Sequence, residues 1–535
     1  MKRYNIKRIF SLLSVIIILN SCSLNLDIND NPNNATGAVV TPDLTLPAVI
    51  TSTAFNQFYY YGYSWSAFLV GYIMPGKGIS GYGSTYTYDF TSSSITGAWT
   101  SIFVDLRDYQ TIIRKAEADS KYALYGGIAH LLKAYSYQLL VDAYGDVPYT
   151  EGLQGGAGNV TPAYDDDAEV YKLLVAEVDE AITILKANKD LIGAGVIGLN
   201  KTTDPVFSGD ITKWIQFANN VKLRLLIRAA GSEIDSFVQS AYNTFSTEGF
   251  LKEDVLVNPG YNASTNQNPV WTYFHSNVTG TTATAAQYYI PSKYVLGFYN
   301  GKKLSDDVRG ALIYKAYPNT PSGQLGDEEN NPASPLYVWY TPGTAGTAAP
   351  SSTGVVKSRT ASIPLFLASE TYFLLAEAAL TGHVLDGDAK SNFEKGITAS
   401  FNYLSLEGSS TTPKTGLNPE LDAQAYIAEN SDNYLADFDA ADTQAKKLEA
   451  IITQKYIALN IVNANEAWVE FRRTAYPQIS GTNAETTFVS IRSGSTRADK
   501  LPVRLLHPQD EINLNGANVP KIENTFSVPI FWDKD

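Results

Sequence analysis

Residues of the types that most enzymes use for catalysis are sparse in this sequence. The four histidines, His130, His275, His383 and His507, are widely separated along the chain. The sequence lacks H-E-x-x-H, G-x-S-x-G and G-x-x-x-x-G-K-[ST] motifs, and its single cysteine excludes a zinc-spaced cysteine pair. These absences argue against a metalloprotease, a serine hydrolase and a P-loop enzyme. We predict no catalytic site, no metal site and no cofactor.

Carboxylates leave one enzymatic alternative open. A glycosidase needs only two suitably placed carboxylates, and 54 acidic residues always offer some pair. The run Asp165, Asp166 and Asp167 could bind a metal ion, but it stands just before an apolar-periodic stretch, with Glu169 at the spacing of a capping box. We therefore interpret the run as a helix N-cap whose charge also suits the helix dipole.

Aromatic residues are the stronger functional signal. The chain has 35 tyrosines and seven tryptophans, several of them in segments rich in Gly, Ser, Thr, Asn and Pro. A flat ring is a rigid apolar platform that suits the C–H faces of sugars, while neighbouring polar groups bond the hydroxyls. The candidate ligand-binding residues are Tyr82, Tyr86, Tyr88, Trp271, Tyr273 and Trp339. For each of them taken singly, local packing is the favoured interpretation, but we expect some of them to form an exposed platform.

Two arginine pairs could bind an anionic ligand. Arg472 and Arg473 follow a Trp-x-x-Phe helix face, and Arg224 and Arg228 stand four residues apart in an earlier helix. Because the acidic chain offers many carboxylate partners, we predict instead that these arginines form buried ion pairs between helices.

The N-terminal segment predicts export and lipid attachment. Four basic residues precede the apolar run 9–19, which has the length of a secretory signal and about half that of a membrane span. The run leads into a Leu-Asn-Ser-Cys sequence that ends at Cys22 and resembles the lipobox of bacterial lipoproteins. Residues 1–21 are therefore predicted as a signal peptide, Cys22 as the lipidated residue and residues 22–43 as a flexible spacer. The alternative is a soluble secreted protein with a free thiol.

Apolar periodicity predicts a mainly α fold with little β-structure. Residues 44–71 are predicted as a helix with one aromatic face, residues 75–97 as a loop, and residues 255–365 as a loop-rich insertion with short strands. Apolar residues recur at intervals of three and four in eight further stretches: 99–116, 125–139, 166–185, 211–231, 369–382, 389–404, 448–459 and 466–477.

These eight stretches form four successive helix pairs, each of which needs a neighbour to cover its apolar side. That arrangement predicts a tetratricopeptide-like solenoid with long loop-rich insertions, in a single domain over residues 44–535. An irregular all-helical bundle is the alternative.

The charge of the chain excludes one class of partner. Removing residues 1–21 removes four positive charges, which takes the net charge from −14 to about −18. Nucleic acid is a poor candidate partner, because binding it normally requires a basic surface stripe.

Seven stretches, in this order, resemble the SusD/RagB family of nutrient-binding outer-membrane lipoproteins, in its SusD-like branch. They are NDNPNNAT after the cysteine, GDITKWIQFANNVKLRLLIRAA (209–230), ETYFLLAEAALTG (370–382), EKGITASF (394–401), IITQKYIALNIVNANEAWVEFRRTAYP (451–477), LPVRLLHPQDEINLN (501–515) and FWD (531–533).

The resemblance implies a non-enzymatic protein that faces the cell exterior from the outer membrane. It also implies that the protein covers a SusC-like TonB-dependent transporter and delivers oligosaccharides, or in some relatives peptides, for import. Four tetratricopeptide-like units would pack against that partner. The family's most recognisable residues, including Trp468, Arg472, Arg473 and Pro477, resemble scaffold, and ligand contacts come from variable loops.

Together these observations predict a glycan-capturing lipoprotein whose ligand is held by aromatic residues from 60–90 and 255–345. Replacing Trp271 and Trp339 with alanine is then expected to weaken binding while the helices stay folded. Three alternatives stay open: a peptide-binding relative of the same fold, a surface glycosidase, and a scaffold that binds only protein.

Overall fold

The computed structural model describes residues 40–339 and 352–533. The predicted signal peptide, Cys22 and most of the predicted spacer lie outside these ranges. The first helix of the described ranges begins at Pro42, so the last two residues of the predicted spacer, Pro42 and Asp43, belong to a helix.

The described part of the chain is mainly helical, as predicted. In chain order the helices are α1 (Pro42–Asn56), α2 (Gly83–Thr87), α3 (Thr96–Ala118), α4 (Ala123–Tyr144), α5 (Asp167–Asn188), α6 (Ile211–Ala229), α7 (Asp235–Ala241), α8 (Pro269–Phe274), α9 (Thr284–Tyr288), α10 (Lys293–Leu296), α11 (Asp307–Ile313), α12 (Ala368–Leu380), α13 (Ala389–Ser405), α14 (Pro419–Glu429), α15 (Gln444–Ala458), α16 (Ala464–Thr474) and α17 (Gln509–Asn515). Helix α1 continues as a π-helical segment, Gln57–Ser66, and a last turn, Ala67–Leu69. Within the described ranges, none of the helices has the length and hydropathy needed to cross a membrane.

All eight periodic stretches are helices, which confirms the four predicted pairs: α3–α4, α5–α6, α12–α13 and α15–α16. Consecutive helices pack against each other from α3 to α6, and α12 packs against both α13 and α15. Helices α5, α6, α13 and α16 each begin after an Asp or Asn whose side chain accepts a backbone N–H from the first turn.

The three residues of the acidic run before α5 have different hydrogen-bond partners. Asp166 is the predicted N-cap, because its Oδ1 accepts the N–H groups of Ala168 (3.1 Å) and Glu169 (3.2 Å). Asp165 instead accepts backbone N–H groups from the preceding loop, and Asp167 accepts one from the C-terminal segment. The capping interpretation therefore holds for Asp166 alone.

Buried ion pairs join the helices, as predicted for three of the four arginines. Arg228 on α6 contacts Asp142 on α4, and its Nη2 donates to Glu466 Oε1 on α16 at 2.6 Å. Arg224 donates to Gln138 of α4 and lies 3.4 Å from Glu370 of α12. Two further members of the network, Lys455 and Arg473, bond Glu466, Glu470 and Glu377.

Arg472 differs from the prediction. Its guanidinium donates to the backbone carbonyls of Val503 and Asp142 (2.5 and 2.6 Å). It also stacks between Trp468 and Trp532, whose ring centroids are 3.3 and 4.6 Å from the guanidinium carbon. The residue thus fastens the C-terminal segment to α16 through carbonyls and rings, with no side-chain carboxylate as its hydrogen-bond partner among the contacts of the described residues.

Among the described residues, four short strands form two pairs, one between the loop-rich insertion and the segment after α1 and one across the ends of the insertion. Strand β1 (Met74–Pro75) pairs with β3 (Tyr289–Ile290), and β2 (Val255–Val257) pairs with β4 (Ile363–Phe366), both antiparallel. The insertion also contains four short helices, α8 to α11, where the sequence predicts loops. Helices of four to seven residues are too short to show a helical period. Helix α14 is a further helix that the sequence analysis does not predict.

Candidate ligand-binding cleft

Three half-buried tyrosines, Tyr59, Tyr60 and Tyr63, lie on the π-helical segment that follows α1. In this segment hydrogen bonds span five residues, as between the N–H of Ala67 and the carbonyl of Gly62, so side chains four apart stay close to one line. The ring of Tyr59 is nearly parallel to that of Phe55 (centroids 5.3 Å apart) and to that of Tyr63 (5.7 Å). The backbone thereby sets a ladder of rings along one side of the helix.

Tyr60 braces this ladder against α3. Its ring meets that of Tyr59 edge-on at 4.9 Å and lies over Gly97, in the first turn of α3. A Cβ atom at Gly97 would be 2.3 Å from Cε1 of Tyr60, so the ring can occupy this place only because residue 97 has no side chain.

Tyr273 of α8 closes the other side of the ladder. Helix α8 begins with Pro269 and is capped by Asn268, whose Oδ1 accepts the N–H of Trp271 at 2.9 Å. The ring of Tyr273 lies 4.5 Å from that of Tyr59 and 5.1 Å from that of Tyr63. A cleft of about 320 Å³ opens here, lined by Tyr59, Tyr63, Thr272, Tyr273, Asn277, Thr281, Thr282, Ala283 and Thr284.

The loop after α8 brings hydroxyl groups to the cleft. The Oδ1 of Asn277 accepts the N–H groups of Thr279 (3.0 Å) and Thr281 (2.9 Å) and the hydroxyl of Thr279 (2.7 Å). Ser276 and Thr282 pair across the base of the loop. Asn277 thus holds the loop in a tight turn that leaves Thr281 exposed at the rim.

A second group of tyrosines adjoins the ladder. The β1–β3 pair places Tyr289 beside Tyr63, with ring centroids 6.1 Å apart, and the hydroxyls of Tyr289 and Tyr82 are 2.7 Å apart. Burial raises the pKa of Tyr63 and Tyr289 far above that of a free phenol. These hydroxyls therefore stay protonated and can donate as well as accept hydrogen bonds.

The cleft carries no ionised side chain near neutral pH among its described lining residues. Burial raises the pKa of Tyr273 to about 12. His275, which lies just behind the loop, has its pKa lowered to about 4 by burial and by the nearby Arg359 and Lys315. What the cleft offers a ligand is therefore aromatic surface, hydroxyls and one amide.

Two of the six predicted site residues lie at this cleft or beside it, namely Tyr273 in its lining and Tyr82 through Tyr289. Trp271 and Trp339 are buried beneath it, at 1% and 3% exposure. Trp271 stacks on His275 at 4.0 Å, and Trp339 meets the ring of Phe274 edge-on at 5.5 Å. Their rings are covered by protein, so they pack in the core under the cleft and do not present a face to a ligand.

Tyr86 and Tyr88 are also buried, in contrast to the loop predicted for residues 75–97. Helix α2 lies in this segment, and Tyr86 packs near Arg492. The hydroxyl of Tyr88 accepts the N–H of Ser490 at 2.9 Å. Both rings pack against the C-terminal part of the chain, more than 400 positions away in sequence for Tyr88, a contact that no local pattern could have shown.

Tyr59 and Tyr63 are not among the site residues predicted from the sequence, although an aromatic face is predicted for this helix. The signal was the cluster FYYYGY at 58–63, in which more rings occur than one buried helix face can cover. A helix with rings on its outer side offers a surface as well as a core.

Two other features of the described chain fit a ligand less well. A groove of about 680 Å³ beside the end of α16 has no Tyr or Trp in its lining, and Arg497 there is paired with Asp499 (3.3 Å). The carboxylates of Asp146, Asp166 and Asp167 approach one another within 4.8 Å, but each already accepts backbone N–H groups. Neither supports a metal or catalytic site.

The protein is therefore a helical-repeat scaffold with an uncharged aromatic cleft. The chain belongs to the SusD-like family described as "Starch-binding associating with outer membrane", which it matches over residues 33–508. The predicted SusD/RagB membership is thereby confirmed. No curated protein matches the chain.

Solved structures of SusD homologues have the same fold. A chitin-binding SusD homologue from Flavobacterium johnsoniae superposes with a TM-score of 0.68 at 22% identity, covering 91% of this chain and 98% of its own. A SusD homologue from Bacteroides uniformis gives 0.65 at 23% identity, covering 92% and 99%. A SusD-like protein from Bacteroides thetaiotaomicron gives 0.65 at 22% identity, also covering 92% and 99%.

Proposed function

We propose that this protein binds oligosaccharides at the cell surface and passes them to a SusC-like TonB-dependent transporter. The observation that carries the proposal is the cleft in which Tyr59, Tyr63 and Tyr273 meet a rim of threonine hydroxyls and Asn277. Membership of a family described as starch-binding, and the similarity of the fold to that of a chitin-binding homologue, support it.

The chemistry of the cleft matches that of a sugar. A pyranose ring has apolar C–H faces, which gain by contact with aromatic rings, and a hydroxyl periphery, which needs donors and acceptors at its edge. Tyrosine supplies a ring and a hydroxyl in one side chain, with few rotatable bonds to immobilise on binding. The half-buried Tyr82, held by the hydroxyl of the buried Tyr289, would extend the surface beyond one sugar unit.

The cellular arrangement is part of the proposal. Residues 1–21 act as the signal peptide, Cys22 carries the lipid anchor, and residues 44–535 form one domain that faces the exterior and docks on the transporter through its helical repeats. Radiolabelled palmitate should enter the wild-type protein and not a Cys22→Ser variant. Equal labelling of the two proteins would contradict lipid attachment at Cys22.

Isothermal titration of the purified protein with neutral and acidic oligosaccharide pools, and with short peptide pools, tests the ligand class. We expect saturable binding of an oligosaccharide pool and no release of new reducing ends during prolonged incubation. Binding of peptides alone would favour the peptide-binding relative, and released reducing ends would favour a glycosidase. The absence of binding to every pool would contradict ligand capture by the isolated protein and favour a protein-binding scaffold.

A further inference from the structure

Both segments that form the cleft lack charged residues over a length that is unusual for a chain of this composition. Residues 44–76 and 262–292 contain no Asp, Glu, Lys or Arg, with His275 as their one histidine. At the 18% charged content of the whole chain, segments of this combined length would carry on the order of a dozen such residues.

Burial explains this lack of charge only in part, because most of residues 44–76 are buried but the rim of the cleft is not. The rim positions Val278, Thr279, Thr281 and Thr284 are exposed, and exposed surface usually carries many charged residues. Helix α3, which packs against α1, has charged residues such as Arg107 and Asp108 on its outer side. The uncharged surface is therefore a property of the cleft and its rim, and the helical surface next to it does not share it.

We infer that the cleft selects uncharged oligosaccharides and rejects chains that carry carboxylate or sulfate groups. This inference rests on the proposed function and adds the charge class of the ligand. An anionic group placed against Tyr59, Tyr63 and Tyr273 would lose water without gaining a cationic partner, which is unfavourable. The formal net charge of −14 adds long-range repulsion of anionic chains.

Two cations close to His275 do not reverse this expectation. Lys315 lies over the ring of Tyr337 at 5.5 Å, and Arg359 lies 6.0 Å from the ring of Trp271. Both stand behind the layer of Trp271, His275 and Tyr337, and neither is in the lining of the cleft. A ligand in the cleft would meet rings and hydroxyls before it met either charge.

The test uses pairs of ligands with the same backbone and linkage that differ in charge. Maltohexaose and cellohexaose are compared with their C6-oxidised, carboxylate-bearing forms. For each linkage that binds, we expect the charged form to bind at least about tenfold more weakly. The affinity for the neutral form should change less than about twofold between about 0.05 and 0.5 M NaCl.

A variant that supplies the missing charge sharpens the test. Thr281 is exposed at the rim and contributes its backbone N–H to the turn, so Thr281→Lys places an ammonium group there without removing that bond. We expect this variant to bind the oxidised oligosaccharide at least about fivefold more tightly than wild type. The matched Thr281→Gln variant should show no such gain.

The outcomes separate this inference from the proposed function. Equal affinity for charged and neutral members of a pair, lost in a Tyr59→Ala/Tyr273→Ala variant, would overturn charge selection and leave glycan binding at the cleft intact. Failure of every oligosaccharide to bind would overturn both.

Discussion

The scaffold and the cleft use side chains in opposite ways. Helix α16 places Glu466, Glu470 and Arg473 in the interior, where they bond cations and carboxylates of three other helices. The cleft, which is partly open to solvent, contains rings, hydroxyls and an amide and no ionised group among its described lining residues. Charge is buried where helices meet and absent where a ligand would bind.

The contrast shows what each region requires. A buried carboxylate or guanidinium is stable only when its partners stand at set distances, so the network in the scaffold favours one arrangement of the helices. A neutral ligand carries no opposite charge, so a charged side chain in the cleft would lose bound water without forming an ion pair. Rings and hydroxyls therefore suit the cleft, and ion pairs suit the contacts between helices.

Truncation of the two tryptophans beneath the cleft should have the largest effect on the protein. Trp271→Ala/Trp339→Ala removes two buried rings, and each loss is expected to reduce the free energy of unfolding by about 3–5 kcal/mol. Urea denaturation would measure it. Contrary to the expectation drawn from the sequence, loss of binding in this variant would reflect loss of structure.

A matched pair of phenylalanine variants separates packing from ligand contact at these positions. Trp271→Phe/Trp339→Phe keeps most of the buried volume and should preserve both fold and affinity. A folded alanine variant with unchanged stability would contradict the assignment of these rings to the core.

Removal of one buried charge should have the next largest effect. Arg228→Met removes the cation that contacts Asp142, Glu466 and Glu470 together. Lys455 still contacts both glutamates, but Asp142 loses its ion pair with Arg228, and the variant should be destabilised by about 3–5 kcal/mol. The control is Arg107→Met, which breaks an ion pair with Asp108 whose side chains are 66% and 37% exposed and should change stability by less than about 1 kcal/mol. Equal effects of the two variants would show that the network does not hold the helices together.

Acid should weaken the scaffold through Glu177 on α5. Burial would raise the pKa of this carboxyl, but His130 and Lys133 outweigh burial and lower the pKa to about 2, from an ordinary value of 4.5. A carboxyl whose pKa is lower in the folded state contributes stability that is complete above about pH 4.5 and is lost as the pH falls to about 2.

The expected loss from Glu177 over this interval is about 3 kcal/mol. Urea midpoints measured from pH 6 to pH 2.5 should fall less steeply for Glu177→Gln than for wild type. The same slope in both proteins would contradict the assignment.

Sequence periodicity was enough to predict the scaffold and not the cleft. The stretch 389–404 nearly coincides with α13 (Ala389–Ser405), because more than about four turns show their spacing clearly. Helix α8 has six residues, too few to show that Trp271 points inward while Tyr273 lines the cleft. The contact of Tyr273 with Tyr59 joins residues more than 200 positions apart. It also depends on the π-helical geometry of Gln57–Ser66, which no sequence pattern predicted.

The most direct test of glycan binding at the cleft is a titration of Tyr59→Ala/Tyr273→Ala with the neutral oligosaccharide that wild type binds best. The control is Tyr122→Ala, which removes a half-buried ring in the turn between α3 and α4, where it packs on Tyr125. We predict an affinity at least about tenfold lower for the double variant, or about 1.4 kcal/mol, with the control unchanged and both proteins folded. Wild-type affinity in a folded double variant would contradict the account.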